Sequence, residues 1–222
     1  MATHPISATR QSPAGVLSTN KVIRNTYMLL SMTLLFSATT AGLSMAFNLP
    51  HPGLVITLLG YFGLLFATYK FRDSGLGLLS VFALTGFMGL SLGPILNAYL
   101  SLANGGQLVM TALSTTALVF FSLSAYALLT RKDFSFLGSF LFTGILVAFI
   151  AGLAAVFFEI SALSLAVSAM FVVLMSGLIL YETSNIIHGG ETNYILATVS
   201  LFVAIFNLFT SLLHLLGFMN AE

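Results

Sequence analysis

Long apolar stretches separated by short polar connections fill the chain after its first two dozen residues. A helix needs about 20 apolar residues to cross the roughly 30 Å hydrocarbon core of a bilayer. Seven stretches meet or approach this length, at residues 25–47, 53–69, 75–99, 107–129, 134–157, 161–182 and 193–217. The pattern predicts an all-α polytopic membrane protein with seven transmembrane helices, in which the short connections make neighbouring helices antiparallel.

The composition agrees with this class and removes several others. Hydrophobic residues make up 58% of the chain and charged residues 6%, whereas an ordinary soluble domain has about 25% charged residues. The net charge is +1 and the few basic residues form no continuous stripe, which excludes a nucleic-acid surface. The chain has no cysteine, so disulfides, thiolate metal sites and cysteine nucleophiles are excluded. We expect neither a metal nor a cofactor.

The first residues differ from the rest of the chain, because residues 1–21 are rich in Ser, Thr, Ala and Pro and hold no apolar run. Such a segment cannot bury enough apolar surface to order itself. We expect a disordered tail at 1–21 and a single seven-helix transmembrane domain at 22–222. A cleavable signal peptide is not expected, since the apolar stretch begins only after Arg24 and is too long for one.

The basic residues indicate the orientation, because Lys and Arg accumulate in short cytoplasmic loops. All of them fall in the tail or near the second and fourth connections, at Arg10, Lys21, Arg24, Lys70, Arg72, Arg131 and Lys132. With seven spans these segments share one side. The N-terminus is therefore predicted to be cytoplasmic and the C-terminus to lie on the opposite side, while Asp133 is interpreted as a helix N-terminal cap.

Small residues mark a packing face in the third span. Gly86, Gly89 and Gly93 recur at helical spacing and precede Pro94. Within a bilayer such residues let helix backbones approach closely. We predict a tightly packed, kinked helix in which the proline leaves a backbone carbonyl for a cavity or for Asn97 to satisfy.

The same stretch contains Gly-x-Ser-x-Gly, the letter pattern of a nucleophile elbow, with Ser91 at its centre. A membrane serine protease could pair Ser91 with His214. The elbow needs a strand-to-helix turn, however, and this stretch lies within an apolar helix. We therefore expect no catalytic residue and no enzymatic activity.

Polar residues on the last span allow two interpretations. Ser200, Asn207, Ser211 and His214 recur at steps of seven, four and three, which places them on one face of a helix. They can form hydrogen bonds between helices, or they can line a polar path through the bundle. Asn207 and His214 are kept as ion- or proton-sensing candidates, although His214 lies near the span end and can reach the interface.

Glu182 stands at the end of the sixth span, where an acid is costly and is a functional hypothesis by default. It is a candidate proton-sensing group, or else a solvated residue in the headgroup region beside Tyr181. His188 precedes Gly189 and Gly190, most simply in a flexible turn, and is a candidate sensor of cytoplasmic pH.

Three stretches carry a resemblance to a known family, namely Gly77–Ser80, Gly89–Leu96 and Ala112–Phe120. They resemble the signature of the Bax inhibitor-1 (transmembrane Bax inhibitor motif) family. The resemblance implies a seven-helix fold with the last helix at its centre.

The resemblance also implies two functions. Similar bacterial members are multi-pass inner-membrane proteins that bind the membrane AAA protease FtsH and its partners HflK and HflC, and restrain it as a substrate-like inhibitor. Other members are pH-sensitive calcium leak channels gated by two aspartates in the last two helices. Glu182 falls on the first aspartate position and Ala204 on the second, so the alternative is a cation leak with Glu182 as its titrating group.

Overall fold

The structure, a computed structural model, describes residues 13–220. Its helices are α1 (Pro13–Ala46), α2 (Leu54–Phe71), α3 (Gly75–Leu100), α4 (Gly105–Thr130), α5 (Gly138–Phe157), α6 (Ser161–Ile187) and α7 (Tyr194–Met219), with a 3-10 turn at Ser135–Leu137. All seven helices are long and apolar enough to cross a membrane, and the described residues contain no strand. The predicted all-α, seven-span class is therefore confirmed.

The beginning of α1 corrects part of the predicted tail. α1 begins at Pro13, so residues 13–21 are helical, whereas the rest of the predicted disordered segment lies outside the described residues. Proline is favourable in the first helical turn, where its missing N–H has no partner to lose. The segment also extends a helix that the first span has already nucleated, which costs far less than starting a new one.

The end of α6 lies five residues beyond the predicted span, at Ile187. Thr183, Ser184, Ile186 and Ile187 are all buried against the bundle, and this packing keeps the polar segment helical. Glu182 is consequently inside the helix, more than one turn before its end.

The last helix lies at the centre of the bundle, as predicted. α7 contacts α1, α2, α3, α4 and α6. Leu201, Phe202, Ala204, Leu208 and Leu213 are buried, and no residue of α7 from Tyr194 to Gly217 is exposed. A helix at the centre of a bundle is covered by its neighbours in this way.

The closest helix packing is between α1 and α3, along what we call the α1–α3 seam (Gly86, Gly89 and Gly93 of α3 against residues 36–44 of α1). A Cβ at Gly89 would overlap Thr40 Oγ1 and Ser37 O, and one at Gly93 would overlap the Ser44 side chain. Glycine at these positions therefore lets the two backbones meet.

Pro94 lies inside α3 within this region. Proline lacks the N–H that would bond to the carbonyl four residues earlier, which here belongs to Leu90. Ser44 Oγ of α1 donates to Leu90 O at 2.8 Å instead. Asn97, the group that the sequence suggested for this role, donates to Met45 O at 3.3 Å. The hydrogen bond removed by the proline is thus replaced by one from the neighbouring helix.

Candidate functional site

Three connections meet at one end of the bundle, between α2 and α3, α4 and α5, and α6 and α7. We call it the basic end, because the basic residues Arg72, Arg131 and Lys132 lie there. Asn193 ties two of the connections together, since its Nδ2 donates to Arg72 O at 3.2 Å and to Asp73 Oδ1 at 2.8 Å.

The same asparagine fixes the start of α7. Asn193 Oδ1 accepts from the backbone N–H groups of Ile195 and Leu196, at 3.0 and 3.3 Å. An asparagine at this position satisfies backbone donors that have no partner within the helix. Asn193 therefore serves both as the cap of α7 and as the link between the α6–α7 and α2–α3 connections.

Glu182 lies half-buried on α6 near this end, beside Ser200 of α7. Its neighbours in the helix, Ile179, Thr183 and Ile186, are buried. The ion pair of the described residues is Arg72–Asp73, so Glu182 has no basic side chain paired with it there. An acid in this position can exchange a proton or attract a cation.

A second carboxylate acts on Glu182 from the α6–α7 connection. Glu191 is close enough for its charge to affect the Glu182 carboxyl. Its own position is fixed, because Glu191 Oε1 accepts from Asn193 N at 2.6 Å and its backbone N–H donates to Asn185 O at 3.3 Å. The second of these bonds closes the turn that follows α6. The sequence had suggested only a flexible turn here, so Glu191 is a member of the site that sequence reasoning missed.

The resemblance to the Bax inhibitor-1 family implies a second aspartate position at Ala204, which is fully buried on α7. It lies one turn after Ser200, toward the middle of the bundle. No carboxylate is therefore available from that position, and the second carboxylate that acts on Glu182 is Glu191.

Hydroxyl groups from several helices lie at the same depth in the bundle as Glu182. Tyr27 OH of α1 and Ser124 Oγ of α4 lie 3.3 and 3.5 Å from Thr183 Oγ1 of α6. Thr198 Oγ1 of α7 donates to Tyr194 O at 2.7 Å and contacts Thr26 O of α1 at 3.3 Å. Four helices thus share a layer of polar contacts next to Glu182.

His188 connects the end of α6 with the α4–α5 connection. Its Nδ1 lies 2.8 Å from Ser184 O, and its Nε2 lies 3.1 Å from Arg131 O. A carbonyl oxygen only accepts hydrogen bonds, so both contacts are hydrogen bonds at once only when both ring nitrogens carry protons. We call this arrangement the His188 bridge.

Ser184 completes the connection between α6 and the residues ahead of α5. Its Oγ donates to Lys132 O at 3.1 Å and accepts from Phe134 N at 3.0 Å. The hydroxyl proton of Ser184 is therefore already used in the bond to Lys132 O. In the contact between Ser184 and His188, the proton must come from the imidazole ring.

Asp133 is the acidic group that faces His188 from this connection. Its Oδ1 accepts from Ser135 N, the first residue of the 3-10 turn, at 2.8 Å, although the cap position itself is taken by Phe134 and not, as predicted, by Asp133. This hydrogen bonding, with a smaller contribution from the charge of His188, holds the pKa of Asp133 below its ordinary value. The Asp133 carboxyl is therefore ionised at neutral pH.

The structure does not bring the other sensing candidates to this site. Asn207 is half-buried in the middle of α7 and its Nδ2 donates to Val203 O at 2.9 Å. His214 lies toward the opposite end, with Nδ1 at 2.8 Å from Ser168 Oγ of α6. These are contacts within or between helices, and they favour the packing interpretation over a continuous polar path.

The hypothetical nucleophile Ser91 is also separate from His214. Ser91 Oγ donates to Phe87 O within α3 at 2.9 Å, whereas the His214 ring contacts Ser168. This geometry argues against a Ser–His pair and agrees with the view of Gly89-x-Ser91-x-Gly93 as a packing sequence.

The fold and the basic end define a multi-pass helical membrane protein whose polar groups cluster around the start of a central helix. The sequence matches the family described as Bax1-I, Inhibitor of apoptosis-promoting Bax1, over residues 19–221. The chain belongs to this family.

Curated relatives cover almost the whole chain. It is 57% identical over 208 residues to Modulator of FtsH protease YccA of Escherichia coli (strain K12), covering 94% of each chain. It is 55% identical over 201 residues to the uncharacterized protein PA2604 of Pseudomonas aeruginosa, covering 90% of each. An Escherichia coli O6:H1 relative of the same 57% identity is called inner membrane protein YccA. With seven apolar helices, the chain is a multi-pass inner-membrane protein.

Proposed function

We propose that this protein modulates the membrane protease FtsH, as a substrate-like inhibitor with no enzymatic activity of its own. The observation that carries the proposal is the 57% identity, over 94% of each chain, to a relative named Modulator of FtsH protease YccA. In this proposal the basic end faces the cytoplasm, because it holds the basic connections of the seven-helix bundle.

The beginning of the chain is the proposed handle for the protease. α1 has 34 residues, which at about 1.5 Å per residue makes it roughly 51 Å long. This exceeds the roughly 30 Å hydrocarbon core, so the first turns of α1 extend into the cytoplasm. A protease that pulls from the N-terminus would draw on α1 first.

The α1–α3 seam supplies the proposed resistance to that pull. α1 is held where Gly89 and Gly93 allow close backbone contact and where Ser44 Oγ donates to Leu90 O. Extracting α1 must break this contact along much of its length. Slow extraction would keep the protease occupied, which is how a substrate acts as an inhibitor.

The test is FtsH-dependent turnover in membranes that contain or lack FtsH. Deleting residues 2–12, which precede α1, should slow turnover and relieve inhibition of a second FtsH substrate. A same-length Gly/Ser replacement of residues 2–12 is the matched control. It should preserve both the turnover and the inhibition of the second substrate if the handle acts through its length. Turnover and inhibition unchanged by the deletion would contradict the handle.

A native pull-down from the same membranes tests the partners separately. FtsH should be recovered with the full-length protein, and we infer that HflK and HflC accompany it. Recovery of neither FtsH nor its partners would contradict the proposed function itself.

The position of Glu182 supports a second candidate, a pH-sensitive calcium or cation leak. Glu182 lies half-buried next to Ser200, with the charge of Glu191 acting on it. Calcium flux into proteoliposomes at several pH values tests this function, with Glu182→Gln as the variant that removes the titrating group. The leak function requires a calcium flux that changes with pH and is lost in E182Q. The absence of calcium flux at every pH would exclude this function.

A further inference from the structure

A cavity of about 540 Å³ lies within the bundle, away from the basic end. Five helices line it, namely α2, α3, α5, α6 and α7. Aromatic rings form much of its wall, among them Phe62, Phe87, Phe149, Phe171 and Phe206. Its volume falls within the about 300–1,000 Å³ typical of sites for small organic ligands.

The helix contacts show where this cavity opens. Among the described helices, the backbone of α2 approaches those of α3 and α7, and the backbone of α5 approaches that of α6 and the 3-10 turn ahead of it. Along the whole described lengths of α2 and α5, no Cα of one lies within 8 Å of a Cα of the other. The ring of helices around the cavity therefore has one place where neighbouring backbones do not pack on each other and only side chains close the wall. We call this place the α2–α5 gap.

The α2–α5 gap faces the hydrocarbon of the bilayer. The outward side chains Leu59 and Phe66 of α2 are 71% and 68% exposed in the isolated protein, and Val147 and Ile150 of α5 are 51% and 58% exposed. Between the two helices, the rings of Phe62 and Phe149 meet edge to face with centroids 5.7 Å apart. Any molecule that enters through this gap comes from the apolar interior of the membrane.

The chemistry of the wall selects an apolar occupant. The hydroxyl of Thr57 donates to Gly53 O at 2.8 Å, that of Ser91 to Phe87 O at 2.9 Å, and the amide of Asn207 to Val203 O at 2.9 Å. These three polar side chains of the wall are already bonded to carbonyls one turn earlier in the chain, and Tyr61 contributes the one further hydroxyl, on a ring that is otherwise apolar. An apolar cavity holds water poorly, because a buried water needs two to four polar partners.

We propose that the cavity holds one acyl chain of a membrane phospholipid, inserted through the α2–α5 gap. The chain packs against the aromatic wall and reaches Val203, Phe206 and Asn207 of the central helix α7. It supplies the packing that α5 lacks on the side away from α6. With the chain in place, Asn207 faces hydrocarbon and takes no part in a polar path.

Photo-crosslinking in nanodiscs tests the proposal, using the full-length protein and a phosphatidylethanolamine with a diazirine near the middle of one acyl chain. Crosslinks should map to the cavity wall in α2, α5 and α7. Leu146→Trp adds an indole to the wall and should reduce the yield on α7 to less than about half. Val147→Trp, at a neighbouring position of α5 that does not line the cavity and is similarly exposed, is the matched control and should leave the yield unchanged.

A second pair of variants acts from the facing helix. Leu58→Trp lies on the cavity wall and Leu59→Trp beside it does not, so only the former should reduce crosslinking on α7. Size-exclusion chromatography and helical circular dichroism establish that each variant is folded. If L146W does not fold, the comparison of L58W with L59W decides.

Three outcomes would overturn the proposal. The first is crosslinking spread over the outer faces of α2 and α5 with none on α7, because that pattern describes ordinary surrounding lipid. The second is an α7 yield that the wall variants do not change. The third is crosslinking by a free fatty acid that carries a diazirine, when an excess of the same phospholipid without its diazirine does not reduce it. The occupant is then a free acid.

Discussion

The α1–α3 seam and the α2–α5 gap are two opposite solutions for placing helices side by side. At the seam, Gly89 and Gly93 bring the backbones together until a single added methyl group would overlap α1. At the gap, Phe62 and Phe149 meet ring to ring while the helices stay apart and enclose about 540 Å³ with their neighbours. Both lie in the same seven-helix bundle.

The difference shows what side-chain size does within a bilayer. Lipid is as apolar as the helices, so association depends on close packing more than on apolar burial. Small residues give α1 and α3 a continuous contact that can resist extraction. Large rings on α2 and α5 leave space that only an apolar molecule fills, which makes that side dependent on the membrane around it.

Gly89→Val should produce the largest loss of stability, because its Cβ would overlap Ser37 O of the α1 backbone, which cannot rotate away. Overpacking a tight contact costs about 1–3 kcal/mol, and we expect the upper part of that range. Thermal unfolding in detergent measures the loss. Under the proposed function, the variant is also extracted faster by FtsH and inhibits it less.

Gly42→Val is the matched control for this prediction. Gly42 lies on α1, and no neighbouring heavy atom of the described residues lies within 4 Å of a Cβ placed there. It should unfold close to the wild-type temperature. Equal losses for G42V and G89V would mean that the glycines matter for helix formation alone and that the seam is not a special contact.

Gly60→Ala and Gly89→Ala should differ although each added methyl group overlaps a neighbour. At Gly60 the overlapping atoms belong to the far end of the Phe87 ring, whereas at Gly89 they include a backbone oxygen. Phe87 lines the cavity, so its ring can move into that space. We expect G60A to cost less than about 1 kcal/mol and G89A to cost more, and unfolding of both variants in one detergent measures the difference.

The contrast between the cavity wall and the seam fails if the two alanine variants are equally unstable. The wall around Phe87 would then be as tightly packed as the seam in the working protein. G60A should also reduce acyl-chain crosslinking on α7, since the displaced Phe87 ring occupies part of the cavity.

Ser44→Ala should cost about 1 kcal/mol, because it leaves the Leu90 carbonyl without its donor. The cause can be isolated with Pro94→Ala, which restores a backbone N–H for that carbonyl. The cost of S44A should fall toward zero in the P94A background, and a double-mutant cycle of unfolding free energies measures this. An unchanged cost would mean that the Ser44 hydroxyl does not replace the missing bond. Thr39→Ala, which removes a hydroxyl bonded within α1, is the control.

Much of the fold could be predicted because it depends on local patterns. The seven spans follow from apolar length, and the segments that meet at the basic end follow from the positions of Lys and Arg. The close approach of α3 could be anticipated from the spacing of Gly86, Gly89 and Gly93. The continuation of α6 to Ile187 could not, because burial against other helices stabilises that polar segment.

Contacts between distant segments are what the sequence left open. The donor for Leu90 O is Ser44, 46 residues earlier, and nothing near Pro94 identifies it. The proximity of Glu191 to Glu182 could not be predicted, because it depends on the shape of the turn between them. The cavity was not predicted at all, since each of its Phe residues alone is an ordinary apolar residue of a span.

Removing the His188 bridge should give the smallest effect, because His188 is exposed to water. The bridge acts near α5, on the side of the molecule that contains the α2–α5 gap. Among the described elements, the backbone of α5 approaches only that of α6 and of the preceding turn, so the bridge and Ser184 help to hold the connection that leads into it. His188→Ala removes both bridge contacts, so amide hydrogen exchange at residues 131–135 should become modestly faster. His51→Ala in the α1–α2 connection is the control and should leave that exchange unchanged. Exchange at residues 131–135 that is the same in H188A and the wild type would contradict a role for the bridge, and Ser184 alone would then hold this connection.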